Sequence, residues 1–116
     1  MDDKTAKQLL DEWKNRLGLQ EWNITFFPFC KQDEMEDEGV GCTSWQEVIK
    51  VAKIMILDES YYLNYIIPFD FEKTLVHELL HLKTCLISDT DNELQERIAH
   101  QLIDDLARAL VDAKRS

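Results

Sequence analysis

Two histidines four residues apart flank a glutamate in the run Thr74-Leu75-Val76-His77-Glu78-Leu79-Leu80-His81-Leu82. No other feature constrains the chain as tightly as this His-Glu-x-x-His spacing. On a helix, residues i and i+4 share a face one turn apart, so His77 and His81 can grip one metal ion from a single rigid element. Glu78 lies about 100° further around the helix, within reach of a water held by that metal. The apolar neighbours Leu75, Val76, Leu79, Leu80 and Leu82 make this an interior helix. Two of the chain's three histidines fall in it. A buried polar group without a partner is costly, and a metal ion would remove that cost. Two unrelated histidines on a surface helix, the structural alternative, leave the apolar surround unexplained.

Two histidines and a carboxylate keep one coordination position open for water, as catalytic zinc does, whereas structural zinc takes four protein ligands. The third ligand is expected from the helix beside the motif helix. Glu93, Glu96 and His100 are the candidates there, with Asp89 and Asp91 in the loop before it. At about 100° per residue, Glu96 sits beside Ala99 and Ile103 at the rim of the apolar face, with Glu93 and His100 further towards solvent. The expected site is one zinc ion on His77, His81 and Glu96, with Glu78 as general base and His100 as a supporting or replacement ligand. An ion pair of Glu96 with Arg97 or Arg108 is the bland reading.

The rest of the chain reads as a scaffold for that helix. Its 116 residues, 45% of them apolar, suit one α+β domain over 1–116 with one core. Leu9, Leu10, Trp13 and Leu17 predict a helix over 4–17, stopped by Gly18. Trp22, Ile24 and Phe26 alternate with Asn23 and Thr25 as a strand over 21–27, ended or edged by Pro28. The acidic run Asp33, Glu34, Glu36, Asp37, Glu38 reads as a solvated loop, and its spacing is not that of a calcium-binding EF-hand. Val40–Trp45 and Val48–Leu57 flank a hairpin tip at Gln46-Glu47.

Three strands in succession predict a small, mostly antiparallel sheet. An edge strand, taken as Ala52–Ile56, would offer backbone groups to an extended peptide. The motif helix is expected from about Phe71 to Leu86, capped by Asp70. A long helix over 93–111 follows, with Leu94, Ile98, Leu102, Leu106 and Ala109 as its apolar stripe, flanked by Ala99, Ile103 and Leu110.

The formal net charge of −10, with no cluster of Lys or Arg, disfavours nucleic acid and anionic membranes as partners. Apolar stretches fall far short of a membrane span, and the N-terminus lacks the basic start and apolar core of a secretory signal. A cytoplasmic monomer acting on peptide or protein substrates is the expectation. Cys30, Cys42 and Cys85 read as buried thiols; a latch of Cys30 or Cys42 on the metal is the sharper alternative.

His77-Glu78-Leu79-Leu80-His81 followed by a glutamate on a later helix resembles the gluzincin clan of zinc metallopeptidases. The single-domain size and element order, from about Gly39 to Leu110, are similar to its smallest members, the minigluzincins, short bacterial and phage-type metallopeptidases. The resemblance implies a minimal zincin-like fold and a small, zinc-dependent, latency-prone endopeptidase. In that clan an aspartate four residues after the ligand glutamate supports a zinc histidine; here His100 holds that offset from Glu96. Asn92-Glu93-Leu94-Gln95-Glu96 lacks the clan's full signature, which leaves Glu93 open as ligand. Tyr61, Tyr62 and Tyr65 read first as ordinary core packing, with oxyanion stabilisation as the sharper alternative. With His100 as third ligand the chain instead resembles the SprT-like zinc proteases, which work at DNA. A zinc-binding module without turnover is the reading from another class.

Overall fold

The computed structural model describes residues 1–37, 39–63, 66–85 and 92–116. Helix α1 (Asp3–Arg16) starts where the Asp2 carboxylate accepts from the Thr5 amide at 2.8 Å. It stops at Gly18, whose φ of 69° only glycine adopts without strain. Ala6, Leu10 and Trp13 face the core.

Strands β1 (Asn23–Cys30), β2 (Gly41–Gln46) and β3 (Val51–Leu57) form a sheet in the order β1-β3-β2. The expectation of a mostly antiparallel sheet is corrected here. β2 and β3 pair antiparallel, but β1 and β3 pair parallel, because the segment after β1 carries the chain to the far side and β3 returns between its two predecessors. β1 also continues through Pro28. As an edge strand with a register shift between Phe27 and Cys30, it loses no inner ladder bond at the proline. The hairpin tip is Glu47–Lys50, later than expected, and ends on Lys50 at φ 52°.

Burial explains why β3 takes the centre. Ala52, Ile54 and Ile56 face the helices, while Met55 and Leu57 are covered on the other side, so both faces are apolar. Ala52–Ile56 is therefore not the free edge. The edges are β1 and β2, and of these β2 lies beside the motif helix, with no further strand paired to it among the described residues.

Helix α2 (Phe71–Lys83) carries the motif, and α3 (Glu93–Arg115) lies against it. Asp70 and Asn92 cap them, accepting from the Lys73 and Gln95 amides at 3.0 and 3.1 Å. The expected end of α2 at Leu86 lies outside the described residues. The face of α3 that packs is Ala99, Ile103, Ala107 and Val111, not the leucine stripe: Leu94, Ile98 and Leu102 remain 63%, 56% and 53% exposed. Both stripes repeat every four residues, so periodicity alone does not choose between them. The alanines of the buried ridge let α3 approach α2 closely, and the choice rotates the helix by one residue, about 100°. His100 and Asp104 turn towards α2 as a result.

One ionic knot fixes this arrangement. The buried Glu72 accepts from Trp13 Nε1 at 2.7 Å and from Lys114 Nζ, joining α1, α2 and the end of α3. Arg115 forks onto Asp70 at 2.7 and 3.0 Å and reaches Glu72 at 3.3 Å. Cations at the C-terminus of α3 thus meet acids in the first turn of α2. Burial pushes the Glu72 carboxyl up, but the hydrogen bonds from Lys114 and Trp13 and the Lys114 charge outweigh it and hold it below its ordinary value. The knot therefore stabilises the fold above the ordinary carboxylate pKa of 4.5, and that contribution fades as pH falls through the depressed native value. Glu72→Gln is expected to cost about 2 kcal/mol in urea unfolding at pH 7. The gap from wild type should shrink as pH drops below 4.5; a constant gap would place the effect elsewhere.

Candidate metal centre

Imidazole nitrogens of His77, His81 and His100 lie within 4.8 Å of one another, the set among the described residues able to share a metal ion. Ring centroids stand 5.2 Å apart for His77–His81 and 5.0 Å for His81–His100. His77 and His81 come from one face of α2, as their spacing requires. His100 comes from α3, brought round by the rotation that buries Ala99 and Ile103.

Glu96, the expected third ligand, lines the same cleft of about 270 Å³, but its carboxylate is not among the clustered donors. One turn later on α3, His100 occupies the position expected for it. Glu93 is exposed and does not line the cleft. Asp89 and Asp91 lie outside the described residues.

The three imidazoles suit a metal ion electrostatically. His81 is 8% exposed, and its Nδ1 is buried without a hydrogen-bond partner. Such an orphan is rare unless something absent from the protein completes it. Burial, then His77 and His100, push the His81 pKa down to about 4. Burial also lowers His77, with His100 adding to it against the pull of Asp104. Neutral imidazoles offer lone pairs, the form a metal binds. Zinc–nitrogen bonds of about 2.0–2.1 Å set tetrahedral ligands about 3.4 Å apart, so modest side-chain rotations would close the set. The donor set thus fits zinc.

Neighbouring side chains orient these groups. Asp104 Oδ1 stands 3.6 Å from His77 Nδ1, which directs the other ring nitrogen inwards. Asp104 is itself held by Arg108 at 2.8 Å. Trp45 of β2 stacks on His81 at 6.1 Å and 16° between planes. Glu78 is 5% exposed and its Oε1 accepts from Thr43 Oγ1 at 2.7 Å. Burial raises the Glu78 pKa to about 7, with Thr43 opposing and Asp37 adding to the rise.

Thr43, Trp45 and Asp104 were not singled out from sequence. Asp104 was findable, since it follows His100 by four residues. Thr43 and Trp45 carry no local signal, because only the placement of β2 beside α2 brings them to the motif.

The cysteine latch is not formed. Neither thiol belongs to the clustered donors, and the Cys42 thiol points to Glu36 Oε2 at 3.7 Å. Burial, then Asp37 and Glu36, push the Cys42 pKa up to about 11, which disfavours the thiolate form that a metal binds. Cys30 is buried against the Phe27 carbonyl. Of the tyrosines, Tyr62 donates to the Ile67 carbonyl at 2.6 Å and packs on Phe69, while Tyr61 forms part of a 3₁₀ turn (Glu59–Tyr61). Tyr65 lies outside the described residues.

Comparison of the chain with family models, with curated proteins and with solved structures returns no match.

Zinc titration against a chromophoric chelator tests the ligand set. Wild type is expected to bind one Zn2+, and His100→Ala to weaken binding by at least about 100-fold. Glu96→Ala should stay within about threefold of wild type, since a nearby carboxylate contributes only screened Coulomb attraction. The reverse order would restore Glu96 as the ligand.

Proposed function

We propose that this chain is a zinc-dependent peptidase, with one Zn2+ on His77, His81 and His100 and Glu78 as general base. The observation that carries the proposal is the meeting of three clustered imidazoles and a buried glutamate in one cleft beside a free strand edge. This ligand set departs from the gluzincin pattern, which needs Glu96, and follows the three-histidine pattern of the SprT-like resemblance. The net charge of −10 still argues against DNA as a partner, which leaves a peptide or protein as the proposed substrate. No described helix is long and apolar enough to cross a membrane.

A peptide would lie extended along the outer edge of β2, whose residues Gly41 to Thr43 line the cleft. A neighbouring cavity of about 370 Å³ shares His77 and Glu78 with the cleft and is walled by Val40, Tyr62, Phe69 and Ala107. It has room for an apolar side chain next to the scissile bond. Zinc bound at the histidines would acidify a water and polarise the scissile carbonyl. Glu78 accepts the proton at Oε2, its other oxygen being engaged by Thr43, and then delivers it to the leaving amine. A pKa near 7 lets one carboxyl do both. Asp104 holds His77 in orientation throughout.

Glu78→Gln should keep zinc and lose peptide hydrolysis by about 10²–10⁴-fold. Cleavage of a quenched fluorogenic peptide library, read beside zinc affinity, checks both. Wild type that binds zinc and cleaves nothing would leave a zinc-binding module without turnover.

A further inference from the structure

Residues 41, 43 and 45 lie on one face of β2, and all three meet the polar face of α2. Thr43 Oγ1 donates to Glu78 Oε1 at 2.7 Å, and Trp45 stacks on His81. At Gly41 a Cβ would stand 2.6 Å from Glu78 Oε2 and 2.9 Å from Cδ and Cγ. Real carbon–oxygen contacts are essentially never that close, so a side chain at 41 would drive the Glu78 carboxylate from this position towards the cavities it lines. The intervening Cys42 and Ser44 point away and meet Glu36 at 3.7 and 3.1 Å. Register supports the same division: Gly41 pairs with Ile56, Thr43 with Ile54 and Trp45 with Ala52, the three β3 residues that face the helices.

We propose that Gly41 and Thr43 are positioning residues for Glu78, a cradle in which the glycine leaves the space and the threonine hydroxyl fixes the carboxylate. The inference rests on the peptidase reading for its catalytic consequence and on the β2–α2 geometry for its structural one. A glutamate side chain has three rotatable bonds before its carboxylate, and an uncradled one spends most of its time in unproductive rotamers. The Thr43 hydroxyl removes that freedom at one oxygen and leaves Oε2 for chemistry. It also stands 3.3 Å from the Glu78 main-chain carbonyl. When Oε2 carries the proton in transit, Oε1 is the carbonyl oxygen of the acid and still accepts from the Thr43 hydroxyl, so one contact holds the group in both states. Valine, of the same shape, supports neither state; serine supports both.

Steady-state kinetics on one fluorogenic peptide chosen with wild type, using the zinc-loaded protein, decide it. Thr43→Val is expected to lower kcat by about tenfold or more, with KM and zinc affinity within about twofold, the loss of one charge-assisted hydrogen bond. Thr43→Ser should return kcat to within about threefold of wild type, and in the Glu78→Gln background Thr43→Val should change nothing further. Gly41→Ala should lose kcat at least as severely while still binding zinc. Wild-type kcat in Thr43→Val, or equal losses in the valine and serine variants, would overturn the cradle. If wild type binds zinc but cleaves nothing, the peptidase reading fails, and crystal structures of wild type and Thr43→Val decide the cradle alone. A Glu78 carboxylate released from its wild-type position by valine supports it; an unmoved carboxylate refutes it.

Discussion

Everything in this fold depends on burying a helix whose polar face cannot be left bare. Leu75, Val76, Leu79 and Leu82 of α2 are almost fully enclosed, yet the same turns carry Glu72, Glu78 and His81, all under 9% exposed. Desolvating such groups is affordable only where each finds a partner. Two solutions sit at opposite ends of the helix. At its start, Glu72 is satisfied within the protein by Trp13, Lys114 and Arg115. One to two turns on, Glu78 is satisfied by Thr43, while His81 keeps a bare nitrogen. The chain completes its own polar contacts at the structural end and leaves them incomplete at the end read as functional.

The two ends are mechanically linked through α3. Lys114 and Arg115 pin its C-terminus, and the Ala99, Ile103, Ala107, Val111 ridge sets its rotation. Together they fix where His100 and Asp104 stand relative to His77. A ligand set drawn from two helices is only as accurate as the contact between them, which makes a close, alanine-lined contact more useful than a bulky leucine one. The cost is visible on the outside of α3, where the leucine stripe is left in solvent.

Most of the scaffold was legible because it rests on local rules. The Asp70 cap, the Gly18 stop and the two spaced histidines each follow from residues within one or two helical turns. Errors arose where tertiary packing chooses between locally equal options. Leu94, Ile98, Leu102 and Leu106 are more hydrophobic than the ridge that won, and no periodicity distinguishes them. The buried ridge turns Glu96 and His100 alike towards α2, and it is the position of His100 one turn further along α3 that sets its imidazole among the His77 and His81 donors. Likewise, nothing near Ala52–Ile56 says it is central; a run apolar on both faces was the available hint. Thr43 and Gly41 were invisible for a further reason, since a strand's contribution to a helix-borne site depends on register and layer, not on its own sequence.

The charge balance gives the site a direction. Asp37 and Glu96 line the cleft with the histidines, Asp104 stands behind His77, and the whole chain carries −10. A field of that sign concentrates cations and repels phosphate. If it acted alone it would also protonate the imidazoles and so defeat metal binding. Burial opposes it and wins, as the lowered His77 and His81 show. The result is that His77 and His81 are neutral imidazoles inside a negative surround, a setting that suits a divalent cation without competing protons at neutral pH. Glu78 answers to the same two forces with the opposite outcome. For a carboxylate, burial and neighbouring Asp37 both favour the protonated form, and only Thr43 resists. One environment therefore keeps His77 and His81 as free bases and favours a proton on Glu78, the combination the proposed hydrolytic centre would use.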